Sequence, residues 1–188
     1  PFDDTAVDFL EELDVPAYKI ASFENTHLPL IKKVVATGKP MIISTGMADA
    51  QEIQEAIDAA REGGCVELAV LHCVSGYPAP AHEYNLRTIP AMIERYGLVT
   101  GLSDHTLDNT TAVASVALGA SIIEKHFTLN RNGGGPDDSF SLEPDDLKAL
   151  CAQAKTACSA LGKIKTERTE SEKGNAQFRR PLYVCKET

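Results

Sequence analysis

The sequence has no basic excess: 18 Lys and Arg stand against 27 Asp and Glu in 188 residues, a formal net charge of −9. Neutralising phosphates takes a basic face, so general binding to nucleic acid or to an anionic membrane surface is excluded. No apolar run approaches the ~20 residues that cross a bilayer, and no signal-like stretch is present. No C-x-x-C spacing occurs among Cys65, Cys73, Cys151, Cys158 and Cys185. Odd in number and scattered, these read as reduced thiols of a cytoplasmic protein rather than a disulfide framework or zinc knuckle. P-loop, G-x-G-x-x-G and G-x-S-x-G patterns are missing as well. What remains is an ordinary globular composition with enough apolar residues for one sizeable core.

Short β-branched apolar runs alternate with longer helical patterns. Strands are expected over 17–22, 40–45, 67–73, 98–104 and 120–127, and helices over 4–13, 27–37, 49–62, 86–96, 108–118 and 144–161. Asp49 with Glu52 forms a capping-box pattern, and Asp108 and Pro144 suit helix starts. Even alternation of the two types means parallel β-α units, and strands without polar alternation mean a sheet covered by helices. Such units fit either a doubly wound sheet or part of a (β/α)8 barrel. The chain opens on Pro1 inside a loop-and-helix pattern and closes just after the strand-like "PLYV", so both ends are expected to be cut.

Nearly every expected strand ends in groups able to do chemistry: Lys19, Ser22 and Glu24; Ser44 and Thr45; His72, Ser75 and Tyr77; Ser103, Asp104 and His105; Glu124, Lys125 and His126. Taken singly, each is a strand or helix cap. As a set, a parallel sheet gathers them at the one face where α/β proteins bind ligands. His105 and His126 close consecutive strands, which lie roughly 4.8 Å apart. At matching heights they could share a metal ion that polarises a carbonyl, or they are two hydrogen-bonded buried histidines. The serines with Lys19 are neutral donors plus one cation, a set suited to phosphate or carboxylate. The run "NGGGPDD" (132–138) has the glycines for a phosphate nest, although such a run is more often a plain turn.

The runs "AYKIASFE", "IISTGM", "LHCVSGYPAP", "GLSDHT", "IIEKHFTLNRNGGGPDDSFSLEP" and "FRRPLYV" together resemble the sialic acid synthase family, phosphoenolpyruvate-dependent synthases of nine-carbon 2-keto sugar acids. The resemblance implies that the chain is α/β, corresponding to about strands 4–8 of a (β/α)8 TIM barrel. Residues 1–165 would be the C-terminal portion of the barrel domain, and 166–188 a linker towards an antifreeze-like domain that the chain lacks. It further implies roles at matching positions. His105 and His126 would ligate a divalent metal, manganese with magnesium or cobalt as alternatives. Lys19, Ser22, Ser44, Ser75 and Ser103 would hold the phosphate and carboxylate of phosphoenolpyruvate. Glu24, Tyr77 and Asp137 would contact the acetamido sugar, and Glu24 joins the two histidines in the catalytic set.

The implied reaction is attack of the phosphoenolpyruvate methylene carbon on the sugar aldehyde, addition of water, and loss of phosphate by C–O cleavage. Full-length relatives of this kind pair as homodimers, and this chain alone is expected to be inactive. The motifs are most similar to the pseudaminate branch, with N-acetylneuraminate and legionaminate as alternatives. Phe23 and Phe140 are read as apolar surface for a 6-deoxy, bis-acetamido sugar, or as packing residues. Glu124 shares the parity of His126 and could orient it or pair with a cation, whereas Lys125 points the other way. A mainly structural ion-pairing role is expected for both. Two rival readings are a metal hydrolase with Asp104 or Glu124 as base and a non-catalytic half-barrel serving as a binding or assembly module.

Overall fold

The structure is a computed structural model, and it describes residues 1–180. The strand-like "PLYV" and Cys185 lie outside the described residues. Helices and strands alternate in chain order as far as α6, and a second short helix follows: α1 (Asp4–Glu12), β1 (Tyr18–Ile20), α2 (Leu28–Val35), β2 (Met41–Ser44), α3 (Ala50–Glu62), β3 (Leu68–Cys73), α4 (Thr88–Tyr96), β4 (Val99–Asp104), α5 (Thr110–Ala117), β5 (Ile123–Lys125), α6 (Pro144–Leu161) and α7 (Glu170–Lys173). Local chemistry accounts for the boundaries. At α3 the Asp49 carboxylate accepts from the N–H groups of Gln51 and Glu52 while Glu52 returns a bond to Asp49 N–H, the expected capping box. At α5 the Asp108 carboxylate accepts from Thr110 N–H at 2.7 Å, so Asp108 caps from outside and the helix begins two residues later than expected.

All neighbouring strands pair in parallel, in the order β1-β2-β3-β4-β5. A doubly wound sheet reverses direction at a switch point; this one does not, which decides between the two architectures left open by the pattern. The sheet also curls. Three strands separate β1 from β5, so a flat sheet with a step of about 4.8 Å would hold them roughly 19 Å apart. Yet Lys19 on β1 and Glu124 on β5 form an ion pair with Nζ 3.1 Å from Oε1. Two side chains standing on a flat sheet could not close that gap. The five strands therefore form a half-barrel, with Lys19 and Glu124 meeting across its concave side, where side chains fill a barrel's interior.

Helices α1–α3 cover the outer face of β1–β3 through a core that includes Tyr18, Ile20, Leu30, Ile31, Ile43, Ile57 and Val70. Close approach of β4 to β5 depends on Gly101: a Cβ there would lie 2.4 Å from the Ile122 carbonyl and 2.7 Å from Leu71. The edge strand β5 is shorter than its apolar run, because beyond Lys125 the ladder ends and the chain continues through a single bridge between Phe127 and Leu142. Residues 166–180 carry the one-turn helix α7 with a Thr169–Glu172 capping box, and Ile164 just before it is exposed.

Candidate active site

The turn after β2 builds a small polar hollow. Gly46 N–H donates to Ser22 Oγ at 3.0 Å, which joins the ends of β1 and β2. A Cβ at Gly46 would fall 2.3 Å from Ser75 Oγ, 2.7 Å from Ser22 Oγ and 3.1 Å from Cys73 Sγ, so Ser22, Ser75 and Cys73 converge where only a glycine fits. Behind it, the buried Asn25 amide donates to the carbonyls of Ser44 (3.2 Å) and Gly46 (3.4 Å). Among the described residues, the buried hydroxyls of Ser44 and Ser75 and one buried oxygen of Glu24 have no hydrogen-bond partner. Leaving a buried polar group unpaired costs about 1–3 kcal/mol. Three such groups stand on the adjacent ends of β1, β2 and β3, free to pair with a polar ligand.

Lys19 and Ser103 sit across the concave side. Ser103 Oγ donates to Glu124 Oε1 at 2.8 Å, and Lys19 Nζ lies 3.1 Å from the same oxygen. Glu124 thus pairs with a cation, as one of its expected roles had it, and does not orient His126. Lys125 pairs with Asp104 at 2.9 Å in a buried contact.

His105 and His126 come together with ring centroids 5.2 Å apart. Three bonds hold His105: its N–H donates to the Tyr84 hydroxyl at 2.6 Å, its carbonyl accepts from Ala79 N–H at 3.1 Å, and Nδ1 meets the Val74 carbonyl at 2.8 Å. A carbonyl only accepts, so Nδ1 carries the proton and Nε2 keeps its lone pair. Burial pulls the His105 imidazole below its ordinary value, against the opposing effect of the Val74 carbonyl, so it stays neutral near pH 7. His126 is held through its carbonyl by Leu142 N–H at 2.8 Å, and its Nδ1 lies 3.4 Å from Asp137 Oδ2. Tyr77 lies over His105 at 4.3 Å and edge-on to His126 at 5.8 Å.

This donor set fits a divalent metal. Two imidazoles that each reach about 2.1 Å to one ion have ring centres roughly 5 Å apart, and at least one of these rings is neutral with a free nitrogen. Among the described residues no group of three or more His, Cys, Asp or Glu is placed to hold an ion. With a metal bound, the pair would form an open two-histidine arrangement, leaving further positions for water or substrate.

At two places the structure chooses between alternatives that the sequence leaves open. Phe140 is only 7% exposed and packs edge-on against His126 at 5.0 Å, so it supports the imidazole; Phe23, 62% exposed, is the one of the pair that offers apolar surface. The glycine-rich run is not an open phosphate nest. Asp138 occupies it, accepting from Gly135 N–H at 2.8 Å, while a Cβ on Gly133 would fall 2.7 Å from its carboxylate. The Thr128 hydroxyl and Gly135 N–H hold that carboxylate below the usual range. Sequence reasoning missed Asn25 and Gly46. Only the glycine left a signal, a small residue directly after a strand end, where close backbone approach is common.

The NeuB family model matches residues 1–166. The chain belongs to the NeuB family. An N,N'-diacetyllegionaminic acid synthase of Campylobacter jejuni is 42% identical across 99% of this chain and 56% of its own length. A pseudaminic acid synthase of Helicobacter pylori is 38% identical across all of this chain and 55% of its own length. The crystal structure of an N-acetylneuraminic acid synthetase from Leptospira borgpetersenii superposes with a TM-score of 0.87 at 34% identity, covering 95% of this chain and 62% of that one. The chain therefore spans a little over half the length of these NeuB-family relatives.

Proposed function

We propose that the protein containing this chain condenses phosphoenolpyruvate with an open-chain 2,4-diacetamido-2,4,6-trideoxy hexose, giving a nonulosonic acid and phosphate. The observation that carries the proposal is the two unpaired buried hydroxyls, Ser44 at the end of β2 and Ser75 beside Gly46, on the same strand-end face as the His105 and His126 rings, whose centroids lie 5.2 Å apart. Ser22, Ser44 and Ser75 donate to the phosphate and carboxylate of phosphoenolpyruvate. Lys19 and Ser103 complete the set, the ammonium supplying charge. Fixed donors aimed at an anion in a sheltered site stabilise it without reorganisation.

A divalent ion held by His105 and His126, manganese with magnesium or cobalt as alternatives, would polarise the sugar aldehyde as a Lewis acid. Neutral imidazole is the form able to hold it. Tyr77 and Phe140 pack against the histidines and shape that side of the site. Asp137, beside His126, and Glu24, with its unpaired buried oxygen, accept hydrogen bonds from the acceptor sugar, Glu24 in the catalytic set.

The pseudaminate precursor, of altro configuration, is the acceptor put first, since the exposed Phe23 offers apolar surface beside Glu24 for a 6-deoxy sugar. The manno-configured legionaminate precursor is the second reading, favoured by the 42% identity to a legionaminic acid synthase. N-acetylmannosamine, the neuraminate precursor, ranks third. A homodimeric cytoplasmic enzyme is part of the proposal. The test is phosphate release by the complete protein with phosphoenolpyruvate, manganese and each sugar offered separately. Release with the altro sugar alone supports the first reading, and release with the manno sugar alone transfers it to the second. Silence with all three overturns the enzyme reading in favour of the non-catalytic half-barrel.

A further inference from the structure

We propose that Asp104 and Lys125 form a clamp that sets the separation of His105 and His126; both are positioning residues, and the inference rests on the histidines being the metal pair of the proposed synthase. Each of the two immediately precedes a histidine, and strand register places them opposite each other, Asp104 against Lys125. Their side chains point away from the face that carries Ser103 and Glu124. Both are nearly inaccessible, at 0% and 3% side-chain exposure, with Nζ 2.9 Å from Asp104 Oδ2.

The ammonium has three donors and uses all of them. Besides Asp104, it reaches the Thr106 carbonyl at 2.8 Å and the Asp108 carbonyl at 2.8 Å. Asp104 in turn accepts from Thr106 N–H at 2.8 Å through Oδ1 and from the Thr106 hydroxyl at 3.1 Å through Oδ2. One lysine thus binds the end of β5 to the residues on both sides of His105. Elsewhere the histidines are held by unrelated segments: His105 by Val74, Ala79 and Tyr84, His126 by the 137–142 stretch. Beyond the backbone pairing of β4 with β5 and the Tyr77 ring packed on both imidazoles, the lysine is the side-chain tie that fixes one support against the other and so the spacing that one ion requires.

A buried ion pair is a weak source of stability, and the clamp assigns this one to fixing geometry instead. Partners that orient metal ligands typically change metal affinity 10- to 100-fold when altered. The decisive variant is the double substitution Asp104→Asn with Lys125→Met in the complete protein. It removes both charges together and keeps an acceptor for Thr106 N–H. Manganese affinity, measured by calorimetry without substrates, is expected to weaken about 10- to 100-fold, while circular dichroism in EDTA shows the fold retained and Tm falls because the Thr106 and Asp108 carbonyls lose their donor. Unchanged affinity in the folded double variant overturns the clamp.

Should that variant not fold, Lys125→Arg answers the same question. It retains charge, but a planar fork cannot aim at the three acceptors that the ammonium satisfies, so weakened manganese binding is expected and wild-type affinity overturns the proposal. If the wild-type protein itself binds no manganese, the metal reading fails on its own. The crystal structure of the variant then decides the clamp: a changed His105–His126 separation supports it, and the original 5.2 Å retained overturns it.

Discussion

Replacing Gly46 by alanine tests the phosphate hollow directly. The added methyl would lie 2.3 Å from Ser75 Oγ and 2.7 Å from Ser22 Oγ, closer than a real Cβ approaches any atom. The backbone cannot easily retreat, because Asn25 holds the Ser44 and Gly46 carbonyls and Gly46 N–H is bonded to Ser22. The serine hydroxyls must turn away instead. Each hydrogen bond to a charged group contributes roughly 1.5–3 kcal/mol. At about 1.4 kcal/mol per tenfold, losing one donor weakens phosphoenolpyruvate binding roughly 10- to 150-fold. Overpacking adds about 1–3 kcal/mol of instability, read separately as a lower Tm. Initial rates of phosphate release at saturating sugar should show a KM for phosphoenolpyruvate raised by that factor, with the KM for sugar little changed. A wild-type KM for phosphoenolpyruvate in a folded Gly46→Ala protein would refute the hollow as its binding site.

His105→Ala and His126→Ala should each reduce manganese-dependent turnover to background with only a modest loss in Tm; retained activity in either removes that residue from the metal pair. Lys19→Ala should raise the KM for phosphoenolpyruvate more than that for sugar, and the reverse pattern argues against a phosphate contact. Because it also strands Glu124, the double variant Lys19→Ala with Glu124→Gln should recover stability but not the KM. Burial holds the half-buried His72 imidazole below its ordinary value of 6.5, with the Tyr84 carbonyl opposing. The unfolded chain therefore takes up more protons as pH falls below about 6.5, so stability is full above that pH and is lost below it. Urea unfolding between about pH 7 and pH 5 should show a shallower loss in His72→Gln, and an unchanged slope would assign the acid sensitivity to other groups such as His105.

The strands were legible because their apolar runs lack polar alternation, the mark of a sheet covered by helices. Their gathering of chemistry at one edge was legible because parallel strands share a C-terminal face. Periodicity could not choose between a half-barrel and a doubly wound sheet, since both use the same units; strand order and the Lys19–Glu124 contact across the curl made that choice. Asn25 and Gly46 act through backbone carbonyls and through empty space, which residue type alone does not encode. The role of Lys125 depends on the register that sets it against Asp104, and that buried pairing also removes Asp104 as the base of a hydrolase. Phe140 stayed open between substrate-facing surface and packing because a loop position carries no periodic signal of burial.

A nonulosonate synthase opens phosphoenolpyruvate at its C–O bond. The complete protein, supplied with manganese, the altro or manno bis-acetamido sugar and phosphoenolpyruvate carrying 18O at the oxygen bridging C2 and phosphorus, should release phosphate that contains the label. Label retained in the sugar acid, or no consumption of phosphoenolpyruvate with either sugar, would contradict it.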